Sequence, residues 1–511
     1  MRFIVYFEAF RSNKTGNYRT PVLINLIKLK KLQMNFRLLL PLSVCFYLFI
    51  SCNNFWVQKP ERNKRPNIIF ILSDDQAWGD YSFMDHPHIQ TPHIDQLAKE
   101  SATYTRGYVT SPLCGPSLAS IITGKYAFQH GQTGNDAGNS NRDASQWMKN
   151  GYVKNQTKKS KKKKSVNYLF SKERNDQFDV IKEKFYKHKL LTDYLSIKGY
   201  RSFQSGKWWL GSWEEGKFDA GMTHGDYRGN GRHGDEGLKI GREGMDPIFN
   251  FIDQTQKDNV PFFVWYAPFL PHTPHNPPEE LLNKYIKVAP NESIAKYWAM
   301  CEWLDQTVGD LMSYLKERSL DENTLIVYTT DNGWIQSEKH NRYAARSKRA
   351  PHEGGVRTPI MFKLPGVIQP EVNHSTLVSN IDLVPTVLSF LNLTDESLPG
   401  INVLDKEKLN ERETLFIECY NHDILNVEKP TETVLYKIAL NEKWKLMVPN
   451  EELVIRDFTD PQAHYYGFYS NQIQLFDLDH DPEEQINLAK EHPEIVAKMN
   501  KEIDQWWQPV N

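Results

Sequence analysis

Hydrophobic and polar positions divide the chain into a few unbroken apolar runs, each ending abruptly in a polar cluster. Residues 67–72 are apolar after the opening Asn67 and stop at Ser73-Asp74-Asp75. Residues 261–267 are apolar and aromatic and feed a Pro-rich turn over residues 268–278, while residues 324–330 end in Asp331-Asn332-Gly333. Short runs without alternation read as strands buried on both faces, the pattern of a parallel sheet. Between them apolar residues recur at helical spacing, near residues 93–101 and most clearly over residues 294–317, where Asp305 falls on the polar side. Alternating strands and helices predict an α/β fold with a mainly parallel central sheet flanked by helices. Ligands of such sheets sit beyond the carboxyl ends of the strands, where the three polar clusters fall.

Beyond about residue 400 the pattern changes to short strand-like runs at residues 413–418, 436–439 and 474–478, followed by a closing helix over residues 493–507. This predicts a catalytic domain over residues 66–400 and a smaller α+β subdomain over residues 401–511. At the other end, Met34-Asn35-Phe36-Arg37 leads into an apolar run over residues 38–50 and then Ser51-Cys52. The run is short for a membrane-spanning helix and reads as a signal region over residues 1–51, with Met34 as the true start. A small residue before Cys52 is similar to a bacterial lipoprotein processing site, which predicts a lipid anchor at Cys52 and an exported, periplasmic or cell-envelope protein; an ordinary cleaved signal is the rival. Residues 52–65 then form a tether. The lysine-rich run at residues 158–164 reads as a solvated surface insertion.

The chain of 511 residues is 40% hydrophobic, enough for one large core or several smaller ones. With 62 Lys+Arg against 63 Asp+Glu, no global field draws it to nucleic acid, so an anionic substrate must be met locally. Beyond the signal region and the anchor residue Cys52, Cys114, Cys301 and Cys419 remain, which argues against a disulfide framework. Cys301 lies in a helical pattern and reads as buried, whereas Cys114 sits among turn-forming residues.

Asp74, Asp75 and Asp331 with Asn332 offer three carboxylates and one amide oxygen, a hard-oxygen set suited to Ca²⁺ or Mg²⁺. Taken alone, adjacent acids are more often capping or turn devices. The setting of Cys114 changes the weighing. Cys114-Gly115-Pro116-Ser117, with Ala119 and Thr123-Gly124, resembles the signature of the formylglycine-dependent sulfatases. Further matches follow in order: residues 67–76, Thr91-Pro92-His93-Ile94-Asp95, Gly206-Lys207-Trp208, Pro271-His272-Thr273-Pro274, Thr330-Asp331-Asn332-Gly333, Lys348 before Glu353-Gly354-Gly355, residues 381–386, and Leu475-Phe476-Asp477-Leu478 near the end. The resemblance spans roughly residues 66–507 and implies an alkaline-phosphatase-like fold.

The resemblance further implies that a maturation enzyme oxidises Cys114 to formylglycine, whose hydrate attacks sulfur. Asp74, Asp75, Asp331, Asn332 and residue 114 would hold a divalent cation, usually Ca²⁺. Lys207 and Lys348 would hold sulfate oxygens, and His272 would protonate the leaving oxygen. Without that context Lys207 and Lys348 read as surface ion pairs and His272 as a structural histidine in a Pro-rich turn. The implied partner is a sulfated carbohydrate, such as an algal polysaccharide like ulvan or a glycosaminoglycan.

Two positions break the pattern. Leu118 stands where the family has an Arg that supports the formylglycine hydroxyl and helps the maturation machinery read the segment, and Trp209 stands where the common run has His. A glycine-rich segment over residues 223–246 carries Arg228, Arg232, His233, Lys239 and Arg242 and is a candidate donor of replacement contacts. Arg232 or His233 reaching the site and a solvated loop are equally weighted readings. His275, Trp334, Arg346 and Arg349 are candidates for substrate subsites. The rivals to a sulfatase are a glycan-binding protein in which Cys114 stays unconverted, and a phosphodiester or phosphonate hydrolase on the same fold.

Overall fold

The computed structural model describes residues 65–137, 177–225, 235–424, 426–457 and 470–509. The signal region, Met34, Cys52, the lysine run, Arg232 and His233 lie outside the described residues. Among the described residues no helix is long and apolar enough to cross a membrane.

In chain order the strands are β1 (Asn67–Ser73), β2 (Ala102–Tyr108), β3 (Asp136–Ala137), β4 (Arg201–Gly206), β5 (Ala220–Gly221), β6 (Phe262–Ala267), β7 (Thr324–Thr330), β8 (Arg357–Lys363), β9 (Glu371–Asn373), β10 (Val378–Ser379), β11 (Leu415–Tyr420), β12 (Asp423–Ile424), β13 (Val434–Leu440), β14 (Trp444–Pro449) and β15 (Gln474–Asp477). The main sheet runs β10-β2-β8-β7-β1-β6-β4-β5, with β9 beside β2. The three apolar runs therefore form its centre: β1 lies between β6 and β7, parallel to both. β8 is antiparallel to its neighbours β2 and β7, the one reversal in a mainly parallel sheet among the described residues.

Every residue of β1 is buried, and its alternation assigns side chains to two cores. Ile68, Phe70 and Leu72 join a cluster with Ile121 and Ile122 of the helix Cys114–Thr123 and Leu383 of the helix Leu383–Phe390. Ile69 and Ile71 join Ile94, Ile248, Ile252 and Leu311 on the other face. Each such side chain contributes about 1.5–3 kcal/mol by leaving water. Helices thus cover both faces, and only the strand ends are left to build a site.

The helix read from residues 294–317 spans Glu292–Glu317, and Asn291 caps it by accepting from Ile294 N–H at 3.0 Å. Cys301 is buried within it. Asp305 departs from its expected polar face: it is 1% exposed and accepts from Ile94 N–H at 2.7 Å and His93 N–H at 3.3 Å, capping the helix Pro92–Lys99 from outside. The C-terminal region forms an antiparallel sheet, β11-β13-β14-β15, with the helix Pro493–Trp506 packed on it through Met499 and Ile503.

Candidate active site

Parallel register brings the two acidic pairs together. Ser73 pairs with Thr330 at the end of β1 and β7, so Asp74-Asp75 and Asp331-Asn332 leave the sheet side by side. Asp331 N–H donates to Ser73 O at 3.0 Å, and Asp75 N–H donates to Asp331 Oδ1 at 3.1 Å. Asp74 N–H donates to Leu270 O at 3.0 Å, drawing the loop after β6 to the same edge. Asp75 has a φ of 63°, a left-handed conformation that a non-glycine residue holds at a cost, as functional residues often do. Next to β6, β4 ends at Gly206 with a φ of 78°; a Cβ there would lie 1.8 Å from Ala267 O, so only glycine fits. That turn lets Lys207 N–H donate to Ala267 O at 2.7 Å and sends the lysine side chain to the strand ends.

The side chains converge. Lys207 donates to Asp74 and, at 3.4 Å, to Asp331 Oδ2. Lys348 bridges both oxygens of Asp75 at 2.6 and 2.7 Å, and Asn332 Nδ2 donates to Asp75 Oδ1 at 2.8 Å. His272 Nδ1 bonds Thr273 O at 2.6 Å and its Nε2 faces Asp75 Oδ2 at 3.3 Å. Cys114, the first residue of the helix Cys114–Thr123, holds its Sγ 4.0 Å from Asp75 Oδ1. Asn135 Oδ1 accepts from the next amide, Gly115 N–H, at 2.7 Å, a contact that no sequence motif signals. Donor atoms of Asp74, Asp75, Cys114 and His272 all lie within 4.8 Å of one another. Asp331, expected in the same set, instead turns its carboxylate to Lys207 and the Asp75 amide.

The electrostatics follow from burial and pairing. Burial pushes the Asp75 carboxyl up, but Lys348, then His272 and Lys207, outweigh it and hold the group well below the usual carboxylate range. Burial works against the Lys207 ammonium, yet Asp74, Cys114 and Asp331 hold it charged above the usual lysine range. Burial pushes the Cys114 thiol up to about 12 despite Lys207 and Lys348. Burial drives the His272 imidazole well below its ordinary value against the pull of Asp75.

Leu118 and Trp209 share one apolar cluster, and Trp209 turns its ring toward Lys207, 4.1 Å from Nζ to the ring centroid. Both positions that lack the family's polar residues are thus buried in apolar surroundings. A cleft of about 1020 Å³ is lined by His272, His275, Trp334, Lys348, Arg349 and, from the C-terminal region, His422. His275, Trp334 and Arg349, the candidates for substrate subsites, thus line this cleft. Arg346 does not: its guanidinium donates to the carbonyls of Glu483 at 3.1 Å and Glu484 at 2.8 Å and is not among the cleft's lining residues. Lys296, Arg342, His422 and Asp423 also line the cleft without a sequence signal, since none adjoins a matched motif.

Comparison with known proteins agrees with this geometry. A family profile described as Sulfatase matches residues 66–393, and one described as N-sulphoglucosamine sulphohydrolase, C-terminal, matches residues 342–508. A protein called Sulfatase from Formosa agariphila is 24% identical, spanning 88% of this chain and 90% of that protein. An N-acetylgalactosamine-6-O-sulfatase of Bacteroides thetaiotaomicron is 24% identical, spanning 91% of this chain and 98% of its own length. A crystal structure of Ps i-CgsB in complex with k-i-k-neocarrahexaose shares the fold with a TM-score of 0.64 at 22% identity, covering 87% of this chain and 94% of that one.

Proposed function

The chain belongs to the sulfatase family and is a sulfuric ester hydrolase of alkaline-phosphatase-like fold, and we propose that it removes sulfate from a sulfated carbohydrate, using formylglycine at position 114 and a divalent cation. The observation that carries this reading is the meeting of Cys114, Asp75 and Lys207 with Lys348 and His272, the last two of which line the cleft. Relatives named for N-acetylgalactosamine 6-sulfate and a neighbour bound to a carrageenan oligosaccharide support a sugar sulfate as the substrate class. The cleft's volume supports an oligosaccharide over a small aryl ester.

The residues fit a hard cation. Asp74 Oδ2 and Asn332 Oδ1 are buried oxygens without a hydrogen-bond partner, set among carboxylates, which suits Ca²⁺ or Mg²⁺. When present, the cation would polarise the sulfate oxygens, and hydrated formylglycine at position 114 would supply the attacking hydroxyl. An unmodified thiol whose pKa is about 12 is almost entirely protonated near neutral pH, which supports oxidation of Cys114 as the route to a nucleophile. Lys348, at the junction of Asp75 and the cleft, binds a sulfate oxygen from the open side. Lys207 holds Asp74 and Asp331 in place and adds positive potential from beneath. His272 donates Nδ1–H to Thr273 O, which leaves Nε2 facing the reaction; Nε2 would carry a proton to the leaving sugar oxygen in the imidazolium form, whose charge Asp75 Oδ2 at 3.3 Å favours.

Export with lipid attachment at Cys52 completes the reading, supported by the apolar run at residues 38–50. Mass spectrometry of the peptide containing Cys114 tests the core of it, alongside sulfate release from sulfated galactosamine and carrageenan oligosaccharides. Conversion lowers the peptide mass and creates an aldehyde that a hydroxylamine probe captures. An unconverted thiol in protein purified from its native host, with no sulfate released, would leave the glycan-binding reading in its place.

A further inference from the structure

The geometry points to Arg242 as a positioning residue for His272, a role that rests on His272 being the proton donor to the leaving oxygen. Arg242 lies in the turn Gly241–Gly244, closed by Gly241 N–H donating to Gly244 O at 3.0 Å. Its guanidinium is spent on the loop that carries His272. Nε and Nη2 donate to Phe269 O at 3.0 and 2.6 Å, Nη2 also donates to His272 O at 3.1 Å, and Nη1 donates to Asn276 Oδ1 at 2.6 Å. The same cation lies 5.5 Å from the ring centroid of Phe269 and 5.7 Å from that of Trp303. Phe269 in turn stacks on the imidazole of His272, centroids 4.1 Å apart and planes 27° from parallel.

One face of the imidazole is therefore fixed by Phe269, and its Nδ1 by Thr273 O. Phe269 is fixed through ring and carbonyl by Arg242. Displacing Nε2 by an ångström from its working position costs far more in proton transfer than in binding, because transfer requires hydrogen-bond reach to the leaving oxygen. A lysine cannot replace the fork, since one ammonium cannot span Phe269, His272 and Asn276 in a plane.

The test uses the converted full-length enzyme, with Arg242→Gln, Arg242→Lys and Phe269→Leu, each in the native and His272→Asn backgrounds. Turnover is measured on a sugar sulfate and on aryl sulfates of falling leaving-group pKa, with thermal melts as controls. A phenol of low pKa departs without a proton, whereas a sugar alkoxide does not. The expected result is a kcat loss of about 10–100-fold on the sugar sulfate for Arg242→Gln, shrinking to about twofold on the best aryl leaving group, with KM little changed. Arg242→Lys falls between, and Phe269→Leu shows the same slope with the fork intact. Adding Arg242→Gln to His272→Asn should cost less than about a further twofold, because the brace acts through the histidine.

Equal losses on all leaving groups, or full additivity with His272→Asn, would overturn the proposal and leave Arg242 as a loop brace only. If His272→Asn itself shows no dependence on the leaving group, the proton-donor reading fails and the proposal with it. If His272→Asn is sensitive and the Arg242 and Phe269 variants are not, the proposal alone fails. Should Arg242→Gln not fold, Phe269→Leu and Arg242→Lys carry the same comparison.

Discussion

The ring of Trp209 faces the ammonium of Lys207 at 4.1 Å, and the lysine is 1% exposed. Two of its three protons serve Asp74 and Asp331, and the π face takes the remaining direction. A desolvated cation–π contact is worth about 2 kcal/mol, so the indole offsets part of the cost of burying the charge. Trp209→Leu is expected to lower kcat/KM about tenfold, the equivalent of about 1.4 kcal/mol. Trp209→Phe, which keeps a weaker face, should lose less. Steady-state kinetics on one sugar sulfate, paired with thermal melts, check this; equal values for native enzyme and Trp209→Leu would show that Lys207 needs no ring.

The parts of this site legible in the sequence are those fixed by backbone direction. An apolar run that stops before Asp74, Asp331 or Pro268 announces a buried parallel strand and its carboxyl end, and parallel pairing then brings those ends together without further information. Side-chain direction was not legible. Asp305 counts as a polar position in any helical pattern, yet it caps a neighbouring helix from within the core. Arg346 sits two residues before Lys348, but a φ of 58° turns its backbone and its side chain reaches the carbonyls of Glu483 and Glu484. β8 pairs antiparallel between β2 and β7, a reversal that a continuous apolar run does not encode. His422 reaches the cleft from over 300 residues beyond Cys114, so chain distance conceals it.

The segment that carries Lys348 is anchored to the C-terminal sheet by one buried cation. Lys445, 0% exposed, bridges Glu353 Oε1 at 3.0 Å and Glu484 Oε1 at 2.9 Å, while Glu484 Oε2 accepts from Glu353 N–H at 2.7 Å. Removing the cation leaves two buried carboxylates facing each other. Lys445→Met is expected to destabilise the protein by about 3–5 kcal/mol, as breaking a buried pair does. Chemical denaturation measures the loss, and a change under about 1 kcal/mol would show the network to be dispensable.

Glu418 gives the stability a pH dependence of defined sign. It is fully buried, and burial raises its carboxyl to about 8 against the hydroxyl of Tyr420 and the Phe128 amide, which donates at 3.0 Å. The folded chain therefore holds a proton that the unfolded chain releases at the ordinary value of 4.5. The associated stability is fully present below about pH 4.5 and is lost as pH rises through about 8. Glu418→Gln, which keeps the shape without the ionisation, should flatten the fall in stability between those limits. Parallel pH slopes for native and variant proteins in urea denaturation would assign the proton elsewhere.

Cation binding should appear in stability as well as in turnover. Asp74, Asp75 and Asp331 bring three carboxyl groups to the strand ends against the ammonium groups of Lys207 and Lys348. Burial pushes the Asp74 carboxyl well above the usual carboxylate range, so the cluster itself offers a sulfate monoester little net attraction. A divalent cation would favour the ionised carboxylates and make the site more positive. A ligand of the folded state at a hundred times its Kd adds about 2.7 kcal/mol to stability. Ca²⁺ added to chelator-treated protein is expected to raise Tm by several degrees, and sulfate to bind only in its presence. Asn332→Leu, which removes the unpartnered Oδ1 without touching either lysine, should remove most of the Ca²⁺-dependent rise. A rise that survives in Asn332→Leu and in Asp74→Asn would place the cation outside this cluster.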